Sequence, residues 1–488
     1  MILVFVVDGL RPDAITPDDT PTLDRLRREG VTFAASHAVF PTVTRVNAAT
    51  IATGAQPATH GIVGNQMYVP AVSPGRAFGT DSWKNLLALD DATGGRLLFV
   101  PTLAQRLHAH GRRLAAVSSG STGSAFLLNP HARQGVGVLV NGYLEPGALV
   151  AHPAEVNVTV LARFGPAPAK GGQSDRYDNV VDWTQTVLRE YVVPDLRPDV
   201  VVNWITEPDH IQHALGAGSP EARAAIRNGD AHIARILERV EALGLAEPTN
   251  VFVVSDHGFG VNTGTVRVAG ELIDAGLKAG ADSDDVVVAS SGQAMLLSVK
   301  GRALDRVAKI VAFLQSRPWI GVVFTAGGRV EGTLPLALVH ADNAERAADI
   351  LFTFPWTSAP NAFGVPGTDV GDAASSVTSD HGSMSPWNVR NTMLAWGPAF
   401  KRGVTVRVPA GNADVAPTVL ALLGLDAPAL DGRVLHEALA GGPDEERLEV
   451  ETRTHAAEAA GGAYRAVVQV SEVAGRRYVD KGWRVTPP

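Results

Sequence analysis

Three stretches of the chain are apolar almost without interruption and end on an acidic residue: ILVFVVD closing at Asp8, DVVVNWITE closing at Glu207 and NVFVVSD closing at Asp256. A continuous apolar run, unlike an alternating one, marks a strand covered on both faces, as in a parallel sheet between helices. Helical patterns lie between the runs. In TPTLDRLRREG, Thr20 is placed to cap, Pro21 suits the first helical position, Leu23 and Leu26 share a face and Gly30 stops the helix. PTLAQRLHAHG and ARAAIRNGDAHIARILERVEALGL read the same way. Strands alternating with helices predict an α/β fold whose central, mostly parallel sheet is sandwiched by helices, with ligands gathered beyond the carboxyl ends of the strands. Asp8, the 207–213 segment and Asp256 then share one edge.

The pattern changes over about 262–375, where amphipathic material such as GRALDRVAKIVAFLQ mixes with Gly- and Pro-rich segments. This region reads as a cap inserted into a catalytic domain spanning 1–440. From about 440 the chain turns charged and Ala/Gly-rich. Its last β-like runs, YRAVVQV and RRYVDKGWRVT, are expected to pair as a hairpin packed on the core, which makes 441–488 a C-terminal extension.

Composition narrows the chemistry. A chain of 488 residues that is 45% hydrophobic can bury a large core. With 42 basic and 50 acidic residues it has no general attraction to polyanions, so neither a nucleic-acid polymer nor a membrane surface is an expected partner. The absence of cysteine leaves histidine and carboxylates as the strong metal ligands. The opening run MILVFVVDG is too short for a signal peptide or a membrane span, and a cytoplasmic protein is expected. No phosphate-binding GxxxxGK[ST] loop, HExxH helix or GxSxG elbow occurs.

Most of the notable polar residues fall in four segments: Asp8; Asp209 and His213 in EPDHIQH; Asp256 and His257 in SDHG; and His381 in a second SDHG. Singly, each has an ordinary explanation as a turn residue or an exposed helix residue. Together, three carboxylates and three imidazoles suffice for two metal sites. The i,i+4 spacing of Asp209 and His213 puts both on one face of a helix. Asp256 and His257 can face one crevice if the chain turns at Gly258. In the segment from Phe40 to Asn65, the run RVNAATIA places Thr44 at a helix N-terminus, where the free N–H groups favour an alkoxide or a phosphoryl oxygen. An ordinary N-cap is the alternative reading.

The whole set occurs in a recognisable order: DGLRPD, then PTVT and TGAQPATHGIVGN, then EPDHIQH, then DHG, then HG before RNT, with ADVAPTVLALLGLDAPALDGRVL closing. In this it resembles the nucleotide pyrophosphatase/phosphodiesterase (type I phosphodiesterase) family of the alkaline phosphatase superfamily. The resemblance implies an alkaline phosphatase-like fold and two divalent metals, zinc or alternatively manganese. It makes Asp209, His213 and His381 ligands of the first metal, and Asp8, Thr44, Asp256 and His257 ligands of the second. Thr44 becomes the nucleophile of a ping-pong hydrolysis through phosphothreonine. Asn65, helped by the backbone N–H of Arg45, becomes the donor to a phosphoryl oxygen. The substrate class implied is a small phosphate ester or nucleotide-like molecule.

One departure bears on substrate. Where many relatives carry an aromatic residue after the nucleophile, this chain has Arg45, whose guanidinium suits a second anionic group. Phosphonoacetate hydrolases and threonine-dependent alkaline phosphatases, which share parts of these motifs, are therefore the alternatives. A non-catalytic metal-binding scaffold is the reading from a different class, and the complete ligand set opposes it. Oligomeric state leaves no pattern in the sequence.

Overall fold

The computed structural model describes residues 1–375, 377–426 and 430–485. Residues 427–429 of the closing motif segment and Thr486 of the last β-like run lie outside the described residues.

The central sheet has nine strands: β1 (Ile2–Val7), β2 (Val31–Phe33), β3 (Leu114–Ser118), β4 (Val138–Asn141), β5 (Ala151–His152), β6 (Val200–Ile205), β7 (Asn250–Val254), β8 (Met393–Trp396) and β9 (Val404–Val406). Across the sheet they run β9-β2-β8-β7-β1-β6-β3-β4-β5. From β7 through β1, β6 and β3 to β4 every pairing is parallel. β8 lies antiparallel to β7 and β2, and β5 antiparallel to β4. The apolar runs are explained by their position. In β1, Ile2, Val4 and Val6 enter one core while Leu3, Phe5 and Val7 enter the other, so no residue of the strand faces water. Burying each such side chain contributes about 1.5–3 kcal/mol.

Helices cover both faces. α1 (Pro21–Glu29) and α4 (Pro220–Ala242) pack on one; α2 (Thr44–Thr53) packs on the other, and the short α3 (Asp209–Leu215) sits beyond the end of β6. Thr20 does not cap α1 with its side chain; its hydroxyl bonds Thr16 instead. The carboxylate of Asp230, from α4, accepts the N–H groups of Thr22 and Leu23 at 3.1 and 2.8 Å. The cap is thus supplied from a helix about 200 residues away, which no local pattern shows.

The region after β7 builds two further sheets. One has five strands, Val286–Ser291, Ala294–Val299, Ile350–Thr353, Val323–Thr325 and Leu334–Pro335, with the helix Leu304–Gln315. The other has four: Trp356–Pro360, Pro366–Asp372, Gly260–Val266 and Ser379–Asp380. The tail is a three-stranded antiparallel sheet of Val450–Ala459, Tyr464–Val473 and Arg476–Arg484, one strand more than the hairpin expected. Buried residues of the five-stranded sheet and of the tail join the core that holds Ile2, Val4 and Val6. Among the described residues no helix is long and apolar enough to cross a membrane.

Candidate metal centre

The three parallel strands at the middle of the sheet deliver the site. Asp8 follows β1, Asp209 opens α3 after β6, and Asp256 and His257 follow β7. The i,i+4 pair lies on one face of α3 as expected, with Asp209 Oδ1 3.4 Å from His213 Nε2. Asp209 Oδ1 is also 3.4 Å from His381 Nε2 and 3.9 Å from His257 Nε2. A second group forms beside it: His257 Nε2 is 3.0 Å from Asp256 Oδ2 and 3.6 Å from Asp8 Oδ1. The His257 and His381 rings stack with centroids 3.5 Å apart and form the wall between the two groups.

Thr44 is the first residue of α2, and the residue before it, Val43, is extended and offers no side-chain cap. Its hydroxyl Oγ1 lies 3.3 Å from His257 Nε2, at the mouth of the Asp8–Asp256–His257 group. Asn65 is brought to the same helix end, where its Oδ1 accepts the N–H of Arg45 at 3.2 Å. That N–H therefore orients the Asn65 amide and leaves Nδ2 as the group able to donate. The Arg45 side chain is partly exposed, with its Nε buried and without a partner.

The donor set fits divalent cations. Asp8 Oδ1, Asp209 Oδ1 and Asp256 Oδ2 are buried oxygens with no hydrogen-bond partner, all aimed at imidazole nitrogens. Each imidazole is held by its other nitrogen: Nδ1 of His213, His257 and His381 faces the carbonyl oxygens of Ser379, Gly258 and Thr42, each at 2.9 Å. A carbonyl accepts only, so Nδ1 carries the proton and Nε2 is left to ligate. Electrostatics agree. Burial, reinforced by repulsion from Asp209 and Asp256, pushes the Asp8 carboxyl well above the usual carboxylate range. A cluster of buried carboxylates with that conflict calls for positive charge between them.

Several supporting residues left no trace in the sequence. Trp204, at the end of β6 and fully buried, donates Nε1–H to Asp8 Oδ2 at 2.9 Å. Gly9 N–H donates to Asp256 Oδ1 at 3.1 Å. Thr42 ties the nucleophile segment to the second SDHG, its Oγ1 accepting from Gly382 N and donating to Ser383 O. Asn412 donates to the carbonyl of Asp256 and is itself held by Asn391. Asp380 also joins the site, with Oδ1 3.7 Å from His213 Nδ1 on the side away from Asp209. Its place beside His381 repeats that of Asp256 beside His257, and that repeat was the available signal. Glu207 points elsewhere, accepting the N–H groups of Tyr177 and Ile211. Residues Ser119 to Ser124 are structural: Ser121 caps the helix Thr122–Leu128, and Ser119 Oγ braces the end of β6.

Trp204→Phe keeps an aromatic ring but removes the donor to Asp8. It is expected to weaken the affinity of the Asp8 group for a divalent cation by about 10–100-fold, measured by competition with a chelating dye. Unchanged affinity would reduce Trp204 to a packing residue.

A model of the family described as type I phosphodiesterase / nucleotide pyrophosphatase matches residues 2–316. Human ectonucleotide pyrophosphatase/phosphodiesterase family member 7 is 25% identical over 277 residues, 56% of this chain and 50% of the relative. Venom phosphodiesterase of Macrovipera lebetinus is 24% identical over 259 residues, 53% of this chain and 25% of the relative. The chain thus spans half or less of the length of these curated relatives. Murine ectonucleotide pyrophosphatase/phosphodiesterase 5 superposes with a TM-score of 0.61 at 17% identity, covering 90% of this chain and 100% of that one. The structure of an inactive threonine-to-alanine variant of that protein, in complex with AMP, gives the same TM-score with 90% and 99% covered. These two likenesses are of fold, and the fold is the alkaline phosphatase-like one. With its family model matched across well over half of its length, the chain belongs to the type I phosphodiesterase / nucleotide pyrophosphatase family.

Proposed function

We propose that the chain hydrolyses small phosphodiesters or nucleotide-like pyrophosphates through a covalent phosphothreonine at Thr44, with two divalent metals, most simply zinc. The observation that carries this reading is the seat of Thr44. Its hydroxyl stands at a helix N-terminus, 3.3 Å from His257 Nε2, beside paired carboxylate and imidazole groups whose free atoms converge. Family membership supports it, as does the AMP bound by the structural neighbour.

Asp209, His213 and His381 would hold one metal; Asp8, Asp256, His257 and the Thr44 oxygen would hold the other. Bound there, the metals supply Lewis acidity that favours the alkoxide and offsets charge on the leaving oxygen. Thr44 Oγ1 forms a bond to phosphorus in line as the bond to the leaving oxygen breaks. Asn65 Nδ2 donates to a non-bridging oxygen as charge builds on it. Water then attacks the phosphothreonine, releasing a phosphate monoester and restoring the Thr44 hydroxyl. The net −8 charge suits a small substrate better than a polyanionic polymer.

The test supplies zinc, then manganese, to the metal-free protein with bis-p-nitrophenyl phosphate, p-nitrophenyl phosphate, the p-nitrophenyl ester of thymidine monophosphate and phosphonoacetate. Preference for either diester is expected. Preference for phosphonoacetate or the monoester would move the activity to a neighbouring class, and no turnover would leave a scaffold.

One observation favours a second anionic group on the substrate: Arg45 follows the nucleophile, with its Nε unpartnered. Arg45→Phe is expected to raise KM for a doubly anionic substrate about tenfold more than for a simple diester. An equal effect on both would make Arg45 a surface residue.

A further inference from the structure

We infer that the tip of the hairpin joining Val286–Ser291 to Ala294–Val299 positions the site, Ser291 setting Asn65 and Gly292 seating His381; this rests on the roles proposed above for Asn65 and His381. The segment 61–64 before Asn65 has neither helix nor strand, so its backbone groups need partners from elsewhere. Asn65 N–H donates to Ser291 Oγ at 3.0 Å, and Asn65 O accepts the N–H and the hydroxyl of Thr80, each at 2.9 Å. On the other side of the tip, Gln293 N–H donates to the carbonyl of His381 at 2.8 Å. Ser291 and Gln293 are fully buried.

The contact surfaces are made of glycine. A Cβ on Gly292, whose φ is +63°, would lie 2.0 Å from the His381 carbonyl oxygen. One on Gly64 would lie 2.6 Å from Ser291 Oγ, and one on Gly382 2.4 Å from Ser291 O. Backbone therefore meets backbone on the His381 side and the Ser291 hydroxyl meets backbone on the Asn65 side, and a sideways step of the tip moves both partners. From Ser291 the restraint runs through Asn65 to the Arg45 N–H, the residue after the nucleophile. Because the hairpin belongs to the five-stranded sheet, the region outside the central sheet sets the distance between nucleophile and oxygen donor.

The test uses the full chain loaded with zinc. Ser291→Ala is expected to keep both metals, lower kcat for bis-p-nitrophenyl phosphate about tenfold with KM nearly unchanged, and weaken orthovanadate binding by a similar factor. Ser291→Thr, which restores the hydroxyl, is expected to recover most of both. Gly292→Ala is expected to lower zinc content, because its methyl group displaces the His381 backbone. Wild-type kcat and vanadate affinity in Ser291→Ala would overturn the inference. So would equal loss in the alanine and threonine variants, which would mean packing rather than a hydrogen bond. A wild-type protein that binds zinc and orthovanadate but cleaves no diester would sink the proposed function, and the vanadate and zinc measurements would still decide the positioning role.

Discussion

Thr44→Ala is expected to lower diester turnover by on the order of 10³-fold or more, with zinc content and melting behaviour close to wild type. Deleting the hydroxyl removes the nucleophile of the first step, so the phosphothreonine that water later attacks cannot form. The surroundings lose little. Asp8, Asp256 and His257 keep their mutual distances, since each is anchored by a different element: Trp204 Nε1 on Asp8, Gly9 N on Asp256 and the Gly258 carbonyl on His257. Rapid acid quench of the wild type with labelled substrate should trap phosphate on Thr44, and the variant should trap none. Activity retained in Thr44→Ala would sink the covalent route outright.

On the proposed two-metal mechanism, Asp209→Asn is expected to reduce zinc loading from two ions per chain towards one and to lower diester turnover by more than the metal lost. Asp209 Oδ1 is within 4 Å of all three imidazole Nε2 atoms, and an amide oxygen there carries no full charge. The same carboxylate governs the pH dependence of loading. Burial pulls the His213 imidazole down, but Asp209 beside it outweighs burial and pushes it up to about 9. In the metal-free protein His213 is then protonated at pH 7, and a metal must displace that proton to reach Nε2. Zinc loading at pH 7 should release protons, and affinity should climb as pH rises towards about 9, by about tenfold per pH unit for one proton. Asp209→Asn removes the cause and should flatten that climb. Two zinc ions and normal turnover in this variant would reject Asp209 as a ligand.

The legible parts of the fold were those whose environment is uniform. β1 is apolar at every position, and β6 and β7 at all but Asn203 and Asn250, because both faces are covered, so each could be read from a handful of letters. The strand Gly260–Val266 is largely exposed or half-exposed, and GVNTGTV carries no periodicity to detect. Val450–Ala459 is mostly exposed, so its charged letters looked like a tail although it pairs along its full length. The site divides the same way. Its carboxylates and imidazoles were legible because no other side chains do that chemistry in a chain without cysteine. Trp204, Thr42, Asn412 and Ser291 were not, because a side chain bound to a group distant in the chain leaves no spacing to notice. Thr20 shows the converse: a good local capping signal gave way to a carboxylate on another helix.

The sheet pairing also has a consequence for the ribosome. β1 lies between β6 and β7, so its hydrogen-bonding partners are synthesised about 200 and 250 residues after it. At about 5–20 residues per second, the six apolar residues of β1 wait roughly 10–50 s for both neighbours to emerge. Until then they present two unpaired, greasy edges. Production of this protein should therefore respond to slowed translation and to chaperones that shield nascent apolar segments, and mutations that stall synthesis before residue 254 should yield aggregate rather than a smaller folded unit.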